Sequence, residues 1–291
     1  MDGETGLLNA AWDIVSGMWA FGLGVVACLL FLVWCWLFRR EIDYSFRKGW
    51  QSLGENAVFF FINALFGPVA FLLSTMMISG VEQLGIPRVD PAFWTALPAI
   101  VVMIVGVFVY DITNYWFHRG MHEVPWLWPI HAIHHSDEDV NGLTTYRVHF
   151  IEPIMIMMPF VVVQTLLGIS PASIAVAATF LGLHNIYVHI DLDWTHGPLR
   201  YIIASPRYHR WHHADIPEAH GKNLANFFPF IDVWFGTYYV PGKCEEKMGA
   251  DGVPKSIISQ MAFPFTQWWQ MGAKKMRRRK VQRRTLMKAE N

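Results

Sequence analysis

Long uncharged stretches alternate with polar segments along this chain. Residues 14–38, 57–80 and 93–110 each approach or exceed the roughly 20 residues that cross a bilayer as one helix. Residues 153–188 form a fourth stretch about twice as long as one span needs, with a glycine and a Ser-Pro pair near its middle. Such an interruption is typical of a turn between two apolar helices. The pattern therefore predicts an all-α chain with about five helices that cross or enter a membrane.

The composition favours a membrane protein over a soluble one. Of the 291 residues, 53% are hydrophobic and only 16% are charged, whereas soluble domains average about 25% charged residues. The alternative is a set of buried helices in a large soluble protein. A cleaved signal peptide is not predicted, because the N-terminus is acidic and the first apolar stretch is too long for one. The three cysteines are too scattered for a disulfide framework, and we interpret them as free thiols.

Basic residues follow the first apolar stretch and dominate the C-terminus. Four Lys or Arg side chains lie within residues 39–48, and residues 274–288 are strongly basic. Lys and Arg are enriched on the cytoplasmic side of membrane proteins. Five spans with the N-terminus outside would place these two segments in the cytoplasm, together with every histidine-bearing segment. We therefore expect a multi-pass protein whose C-terminus and polar cap are cytoplasmic.

All histidines of the chain lie after residue 117. An HxxxH pair follows the third apolar stretch, and two HxxHH triplets come later, in "IHAIHHSDED" and "PRYHRWHH". On a helix, each triplet is expected to point its imidazoles to one side. Two more histidines stand at the end of the hairpin, in "LHNIYVHID". The grouped residues are His118 and His122, then His131, His134 and His135, then His184 and His189, and finally His209, His212 and His213.

This number of histidines predicts a site for two metal ions. Neutral imidazole suits Zn, Fe, Cu and Ni, and a tetrahedral zinc takes four ligands. The pair and the two triplets supply eight imidazoles, and the hairpin end adds up to two more, which is too many for one ion. The alternative is a set of core or surface histidines bonded to carboxylates. Three repeated spacings on one face of the membrane favour metal binding.

Acidic residues accompany the histidines. Those near the triplets and the hairpin end are either solvated charges or carboxylates that hold the outer nitrogen of a ligand imidazole. Asp111 differs, because it lies at the end of an apolar stretch, where a carboxylate is costly unless it is paired. We therefore weigh Asp111 as a residue that supports the metal site from outside its ligands. The other acids weighed for this role are Asp137, Glu138, Asp139, Asp191, Asp193 and Asp215.

The pattern around the histidines is recognisable beyond the histidines themselves. It comprises "DITNYWFHRGMHEVPWLWPIHAIHHSDEDVNGLTTYRVHFIEP", "HIDLDWTHGPLRYIIASPRYHRWHH" and "WFGTYYVP", which together cover about residues 110–241. This region resembles the fatty acid hydroxylase and sterol desaturase superfamily of integral-membrane di-iron enzymes. The resemblance implies that the eight histidines of the HxxxH and HxxHH motifs bind metal, and that His189 is a further ligand. His184 is an additional candidate, whereas His149 is expected to pack or to contact substrate.

The resemblance also implies a reaction and its cofactors. It implies two iron ions, which zinc can replace in purified protein, with O₂ as co-substrate. The expected reaction is hydroxylation of a C–H bond in a membrane lipid such as a fatty acyl chain or a sterol. A desaturase with the same metal site is the alternative, since loss of a second hydrogen gives an alkene. Electrons are expected from a separate donor, either cytochrome b5-like, a ferredoxin or a reductase, and no nucleic-acid partner is expected.

We predict three parts along the chain. Residues 1–109 hold N-terminal transmembrane helices, residues 110–241 form the catalytic domain with the hairpin at 153–188, and residues 242–291 form a basic cytoplasmic tail. The fold class is an all-α polytopic membrane protein with a cytoplasmic, histidine-rich cap for two metals. A non-catalytic metal-binding or metal-transport membrane protein is the alternative from another class, but its ligands would lie inside the spans. A zinc hydrolase is disfavoured, because the HExxH motif is absent.

Overall fold

The computed structural model of the chain describes residues 46–289, with the side chains of residues 51–170, 173–280 and 282. The predicted span at 14–38 and the acidic N-terminus lie outside these residues. Within them the regular secondary structure is helical, and an isolated antiparallel bridge joins Ala214 to Met248. The all-α class is confirmed for this part of the chain.

Helix α1 (Phe46–Gln83) contains the whole of the predicted apolar stretch at 57–80. Its segment Gln51–Gln83 is long and apolar enough to cross a membrane. Many of its large apolar side chains are exposed, with Phe61 at 69% and Leu65 at 76%. Such exposure suits a helix that faces lipid, because lipid contact requires no polar covering.

The third predicted span has different bounds in the structure. The stretch 93–110 is divided between a short helix α2 (Pro91–Thr95) and a long helix α3 (Ala99–Glu123), and only α3 has the length to cross a membrane. The break falls before Pro98, because proline disfavours a helical conformation in the residue that precedes it. Helix α3 continues past the apolar stretch, so the HxxxH pair lies in its last turns. Helix α4 (Trp128–His135) follows after a short turn.

The predicted hairpin is confirmed as helix α5 (Ile151–Leu166) and helix α6 (Pro171–Val188). Gly168 makes the turn with a φ of 67°, a left-handed conformation that glycine adopts readily. A Cβ atom at this glycine would lie 2.2 Å from the carbonyl oxygen of Val89. The Val89 N–H donates to the carbonyl of Leu166 at 2.9 Å, so the hairpin turn lies against the segment between α1 and α2.

Two more α-helices and two 3₁₀ helices belong to the part that carries the histidines. They are the 3₁₀ helices Gly142–Tyr146 and Gly197–Tyr201, helix α7 (Pro206–His213) and helix α8 (Phe230–Phe235). Helix α1 packs on α5, α3 packs on α4, α5 and α6, and α7 packs on α6. Helices α5 and α6 have 16 and 18 residues and are shorter than the roughly 20 residues of a full span. The arrangement of five spans stays a prediction.

The segment after residue 241 is more structured than a tail. Cys244 and Met248 are buried against Trp211 of α7, and the Asp215 N–H donates to the carbonyl of Lys247 at 2.9 Å. Helix α9 (Ile257–Ala289) follows and packs against α4. Contacts therefore cross the predicted boundary at residue 241, and the basic residues lie on a long helix.

Candidate metal centre

The end of α3 and helix α4 bring the HxxxH pair next to the first triplet. His118 and His122 are four residues apart on α3, so their side chains project from one face. Pro129 lies in the first turn of α4, where a proline fits without loss of a helical hydrogen bond. The ring centroids of His118 and His131 lie 4.7 Å apart, so the two helices meet at their histidines.

Helix α7 supplies the second triplet and is fixed by a cap at its start and by ion pairs along its outer side. The hydroxyl of Ser205 accepts the Tyr208 N–H at 3.3 Å and so caps the helix at its start. On its outer side, Arg207 binds both carboxylate oxygens of Asp193 at 2.6 and 2.8 Å. Arg210 forms a further ion pair with Asp191. These pairs turn the cations outward and leave the histidines of α7 buried.

Nine histidines converge in two groups, and within each group the possible ligand nitrogens all lie within 4.8 Å of one another. They come from α3, α4, α7 and the end of α6, and each is buried or nearly so. The five-histidine cluster contains His118, His122, His131, His135 and His212, and the four-histidine cluster contains His134, His189, His209 and His213.

The triplets do not act as units, which corrects the expectation that each points to one side. Residues i and i+4 of a helix differ by about 40° in direction, whereas i+3 and i+4 differ by about 100°. On α4, His131 and His135 therefore face the five-histidine cluster while His134 faces the other. On α7 the division is reversed: His212 joins the five-histidine cluster, and its two neighbours in the triplet join the four-histidine cluster.

In the five-histidine cluster, nitrogen lone pairs face one another. The Nδ1 of His118 donates to the carbonyl of Leu224 at 2.8 Å, and the Nδ1 of His131 donates to Glu152 at 3.0 Å. In a neutral imidazole this leaves Nε2 without a proton. Yet the two Nε2 atoms lie only 2.9 Å apart. Two lone pairs at this distance repel each other unless a cation lies beside both.

The four-histidine cluster has the same construction. The Nδ1 of His189 donates to the carbonyl of Asn185 at 2.6 Å, which leaves its Nε2 as an acceptor. That Nε2 lies 2.9 Å from the Nε2 of His209 and 3.2 Å from the Nε2 of His134. Nitrogens bound at about 2.0–2.1 Å to one ion, with angles of about 90–110°, lie about 2.8–3.4 Å apart. The spacing therefore suits ligands of one ion in each cluster.

Buried nitrogens without partners point to the same conclusion. The Nε2 atoms of His122 and His212 are buried and have no hydrogen-bond partner among the described residues. Burial lowers the pKa of His189 to about 4 and holds the pKa of His212 well below its usual range. The buried imidazoles are thus neutral near pH 7, which is the form that binds a metal ion. The histidines present fit two metal ions.

Glu152 is a residue of the site that the sequence reasoning missed. It lies in the first turn of α5 and is 4% exposed, and its Oε1 accepts the Nδ1 proton of His131. Its other carboxylate oxygen is buried without a partner among the described residues. A carboxylate that orients a ligand imidazole is common at metal sites. Its position at the start of an apolar helix was the available signal, because an acid there is costly unless it is paired.

Asp111 contacts a loop and not a histidine. Its carboxylate is fully buried and accepts the N–H groups of Asn226, Phe227 and Phe228 at 2.6, 3.0 and 2.5 Å. This loop also carries Leu224, whose carbonyl holds His118. Asp111 therefore acts on the site through the backbone, by fixing the segment that orients one histidine.

A second buried carboxylate fixes the same segment from its other side. Asp232 of α8 accepts the N–H groups of Leu224 and Ala225 at 2.7 and 2.8 Å, and the hydroxyl of Tyr208 at 2.5 Å. Burial raises the pKa of the Tyr208 hydroxyl, and the neighbouring Asp232 adds to this effect. Because Tyr208 precedes a histidine of α7, Asp232 connects the loop to that helix.

Most of the other acids weighed from the sequence serve local structure. Asp137 is 3% exposed and accepts from Ser52, Asn56 and Thr144, so it ties α1 to the turn after α4. Asp215 forms a pair with His220 at 3.4 Å. Asp191 and Asp193 bind the arginines of α7 described above, and Glu138 lies 4.0 Å from Lys255.

The remaining histidines lie outside both clusters. His184 is buried, but its Nε2 bonds to the carbonyl of Ala204 at 3.1 Å and its ring packs on Phe227. His149 bonds to the carbonyl of Met261 at 3.1 Å, as expected for a packing residue. His196 bonds to the hydroxyl of Tyr187 at 2.6 Å. The structure thus brings together nine of the ten predicted ligands and leaves His184 beside them.

The part of the chain that contains the two histidine clusters is similar to known proteins. The family model for fatty acid hydroxylases matches residues 103–237. The chain is 37% identical over 133 residues to alkylglycerol monooxygenase of Xenopus tropicalis. The aligned region covers 46% of this chain and 29% of that protein. The chain is also 30% identical over 181 residues to ornithine lipid hydroxylase OlsE of Rhizobium tropici. That aligned region covers 60% of this chain and 54% of the relative.

A third relative is methylsterol monooxygenase 1-3 of Arabidopsis thaliana, 27% identical over 210 residues, or 68% of this chain and 66% of that protein. The matched part thus spans from 29% to 66% of the length of these three relatives. No solved structure matches the chain. The family match includes all nine clustered histidines.

Proposed function

Because this chain belongs to the fatty acid hydroxylase superfamily, we propose that it is an O₂-dependent hydroxylase of a membrane lipid, with one iron ion held by each histidine cluster. The observation that carries this proposal is the convergence of nine histidines, eight of them buried and one partly buried, in groups of five and four. Their facing Nε2 lone pairs are the feature that a cation would stabilise.

The residues of the two clusters have distinct tasks in this proposal. His118, His122, His131, His135 and His212 would hold one ion, and the four-histidine cluster would hold the other. Two bound irons would supply the redox chemistry that activates O₂ for insertion into an unactivated C–H bond.

The protein would hold the lone pairs in place and keep water out. Trp128 covers the outer side of His122 and His135, with ring centroids at 5.4 and 5.6 Å. Carbonyl oxygens and Glu152 hold the outer nitrogens, so each of these rings presents Nε2 to its cluster. An all-histidine ligand set does not by itself select iron over zinc, and family membership supports iron.

A lipid substrate is supported by the helices beside the centre and by the relatives. Helices α1 and α3 are long and apolar enough to cross a membrane, and α3 itself carries two of the clustered histidines. The named relatives act on an alkylglycerol, an ornithine lipid and a methylsterol. We propose that the substrate reaches the centre from the bilayer, on its cytoplasmic side, and that a separate protein delivers the electrons.

One combined experiment tests this proposal. The protein is purified without oxygen and its metals are counted, while lipids are compared between cells with and without the gene grown under ¹⁸O₂. We expect two metal ions per chain, iron-dependent activity and a lipid that carries an ¹⁸O hydroxyl. Full activity with one ion or none would refute the two-metal site. A new double bond without ¹⁸O would instead identify a desaturase, and bound metal with unchanged lipids would favour a non-catalytic metal protein.

A further inference from the structure

Helix α9 carries an apolar stripe that is largely exposed, although the ring of Phe265 also contacts His149 at 5.7 Å between centroids. Its members are Ile258, Phe265, Trp269 and Met276, whose exposed fractions are 85%, 47%, 77% and 64%. They follow one another in steps of seven, four and seven residues. Because a helix turns once every 3.6 residues, these steps place all four side chains on one face. The stripe runs for about 27 Å along the helix.

Other faces of α9 are fixed to the protein. The indole N–H of Trp268 donates to the carbonyl of Trp126 at 2.7 Å, and the carbonyl of Met261 bonds to His149 at 3.1 Å. Gln260 is 1% exposed. The helix packs on α4, which carries three of the clustered histidines. These contacts hold α9 in place and leave most of the stripe exposed.

The charge of α9 is strongly one-sided along its sequence. The segment 257–280 contains no Asp or Glu, and its last seven residues hold six basic side chains, all exposed. None of the six forms an ion pair within the described residues. These basic residues are Lys274, Lys275, Arg277, Arg278, Arg279 and Lys280.

We propose that α9 lies in the water–lipid interface, with its apolar stripe among the lipid headgroups and upper acyl chains and its basic residues on anionic phospholipid. A helix with Trp and Phe on one face and clustered Lys and Arg has the composition of an interfacial helix. Anionic lipids attract such basic segments near the membrane surface. A protein partner would also suit the charge, but a bilayer already adjoins a chain with two helices of membrane length. The helix would then hold the histidine-bearing face of the protein against the anionic surface.

Spin labels on neighbouring positions of the full-length protein test this placement. One variant carries a label at Trp269→Cys, on the stripe, and its matched control carries a label at Gln270→Cys. Gln270 is exposed like Trp269 but points about 100° away around the helix. Both are made in a background with Ser in place of Cys28, Cys35 and Cys244, and are reconstituted in nanodiscs of phosphatidylcholine with or without phosphatidylglycerol. Contact with O₂, which concentrates in lipid, is compared with contact with a water-soluble nickel chelate.

We expect the label at position 269 to meet O₂ in preference to nickel, and the label at position 270 to meet nickel. The contrast should be larger with phosphatidylglycerol, because the basic residues then have anionic partners. A label at Met276→Cys, on the same stripe, should give the same result as the label at position 269. This second position controls for a local change caused by the loss of Trp269. Equal, aqueous exposure of 269 and 270 in both lipids would overturn the proposal. Dipolar broadening of the spectra that disappears when labelled protein is diluted with unlabelled protein would also overturn the proposal. It would show that a second copy of the chain covers the stripe.

The interfacial placement of α9 is independent of the proposed catalysis, because it requires a bilayer beside the chain but no metal, O₂ or substrate. Metal content is measured on the same samples, so a protein that binds two ions but shows an aqueous stripe refutes only the interfacial placement. An inserted stripe in a protein without metal would refute only the proposed centre.

Discussion

His131 and His134 lie three positions apart on one short helix, yet their imidazoles belong to different clusters. Their ring centroids are 5.2 Å apart and the rings are nearly parallel, at 28°. The same division recurs on α7 between His209 and His212, again at 5.2 Å and 28°. Each triplet therefore joins the two clusters, and removal of one histidine should disturb mainly the cluster to which it belongs.

Single substitutions in the middle of each triplet should have separable effects on metal content. We expect His134→Ala to weaken metal binding in the four-histidine cluster and His212→Ala to weaken it in the five-histidine cluster. Each variant should lose turnover, because the proposed reaction needs both ions. Metal analysis of purified, folded protein should show about one ion per chain in place of two. His196→Ala is the control, since His196 bonds to Tyr187 outside both clusters.

Two results would contradict the division of the histidines between the two clusters. If both variants kept two ions and normal turnover, the two histidines would not be ligands. If each lost both ions equally, the clusters would be coupled and the division would have no functional meaning. Membrane insertion and yield must match the parent protein first, because a metal site also stabilises the fold around it.

Much of this centre was predictable from spacing, because HxxxH and HxxHH motifs are local. The sequence therefore predicted all nine clustered histidines. It did not predict which histidine joins which cluster, since that depends on how α4 and α7 face each other. Nor did it predict the contact of Glu152 with His131, because the two residues are 21 positions apart and meet only through packing. The hairpin was predicted from its Gly and Ser-Pro break, whereas the start of α3 depended on a single proline.

Glu152 should tune the affinity of the five-histidine cluster through His131. In Glu152→Ala the Nδ1 proton of His131 loses its acceptor, and we expect metal affinity to fall about 10- to 100-fold. Glu152→Gln retains a carbonyl oxygen that can accept the same proton, so its loss should be smaller. Competition with a chelator of known affinity measures both. Glu82→Ala provides the control, since Glu82 is an exposed acid that pairs with Arg88. Equal affinities of Glu152→Ala and the parent would show that the contact has no influence on the centre.

Asp111 should stabilise the fold directly and should affect metal binding indirectly, through the loop that it anchors. In Asp111→Asn an amide nitrogen replaces one of the oxygens that accept the N–H groups of residues 226–228. A buried N–H left without an acceptor costs about 1–3 kcal/mol, so thermal unfolding in detergent should occur at a lower temperature. Metal should be lost from the five-histidine cluster, because the loop also orients His118. Asp251→Asn, at a side chain that is 91% exposed, should leave both unchanged. Unaltered unfolding of Asp111→Asn would contradict the anchoring role.

The two ends of α3 should lie on opposite sides of the membrane. Val89 contacts the hairpin turn through the carbonyl of Leu166, at the end of the bundle where α3 begins, whereas the last turns of α3 carry His118 and His122. Helix α3 has 25 residues, which at about 1.5 Å per residue is longer than the roughly 30 Å hydrocarbon core. A cysteine at position 89 should therefore react with an impermeant reagent only from outside the cell. A cysteine at position 138, whose side chain is 60% exposed, and a reporter fused after Asn291 should both be cytoplasmic. Labelling of positions 89 and 138 from the same side would refute the crossing of α3, and with it the five-span arrangement.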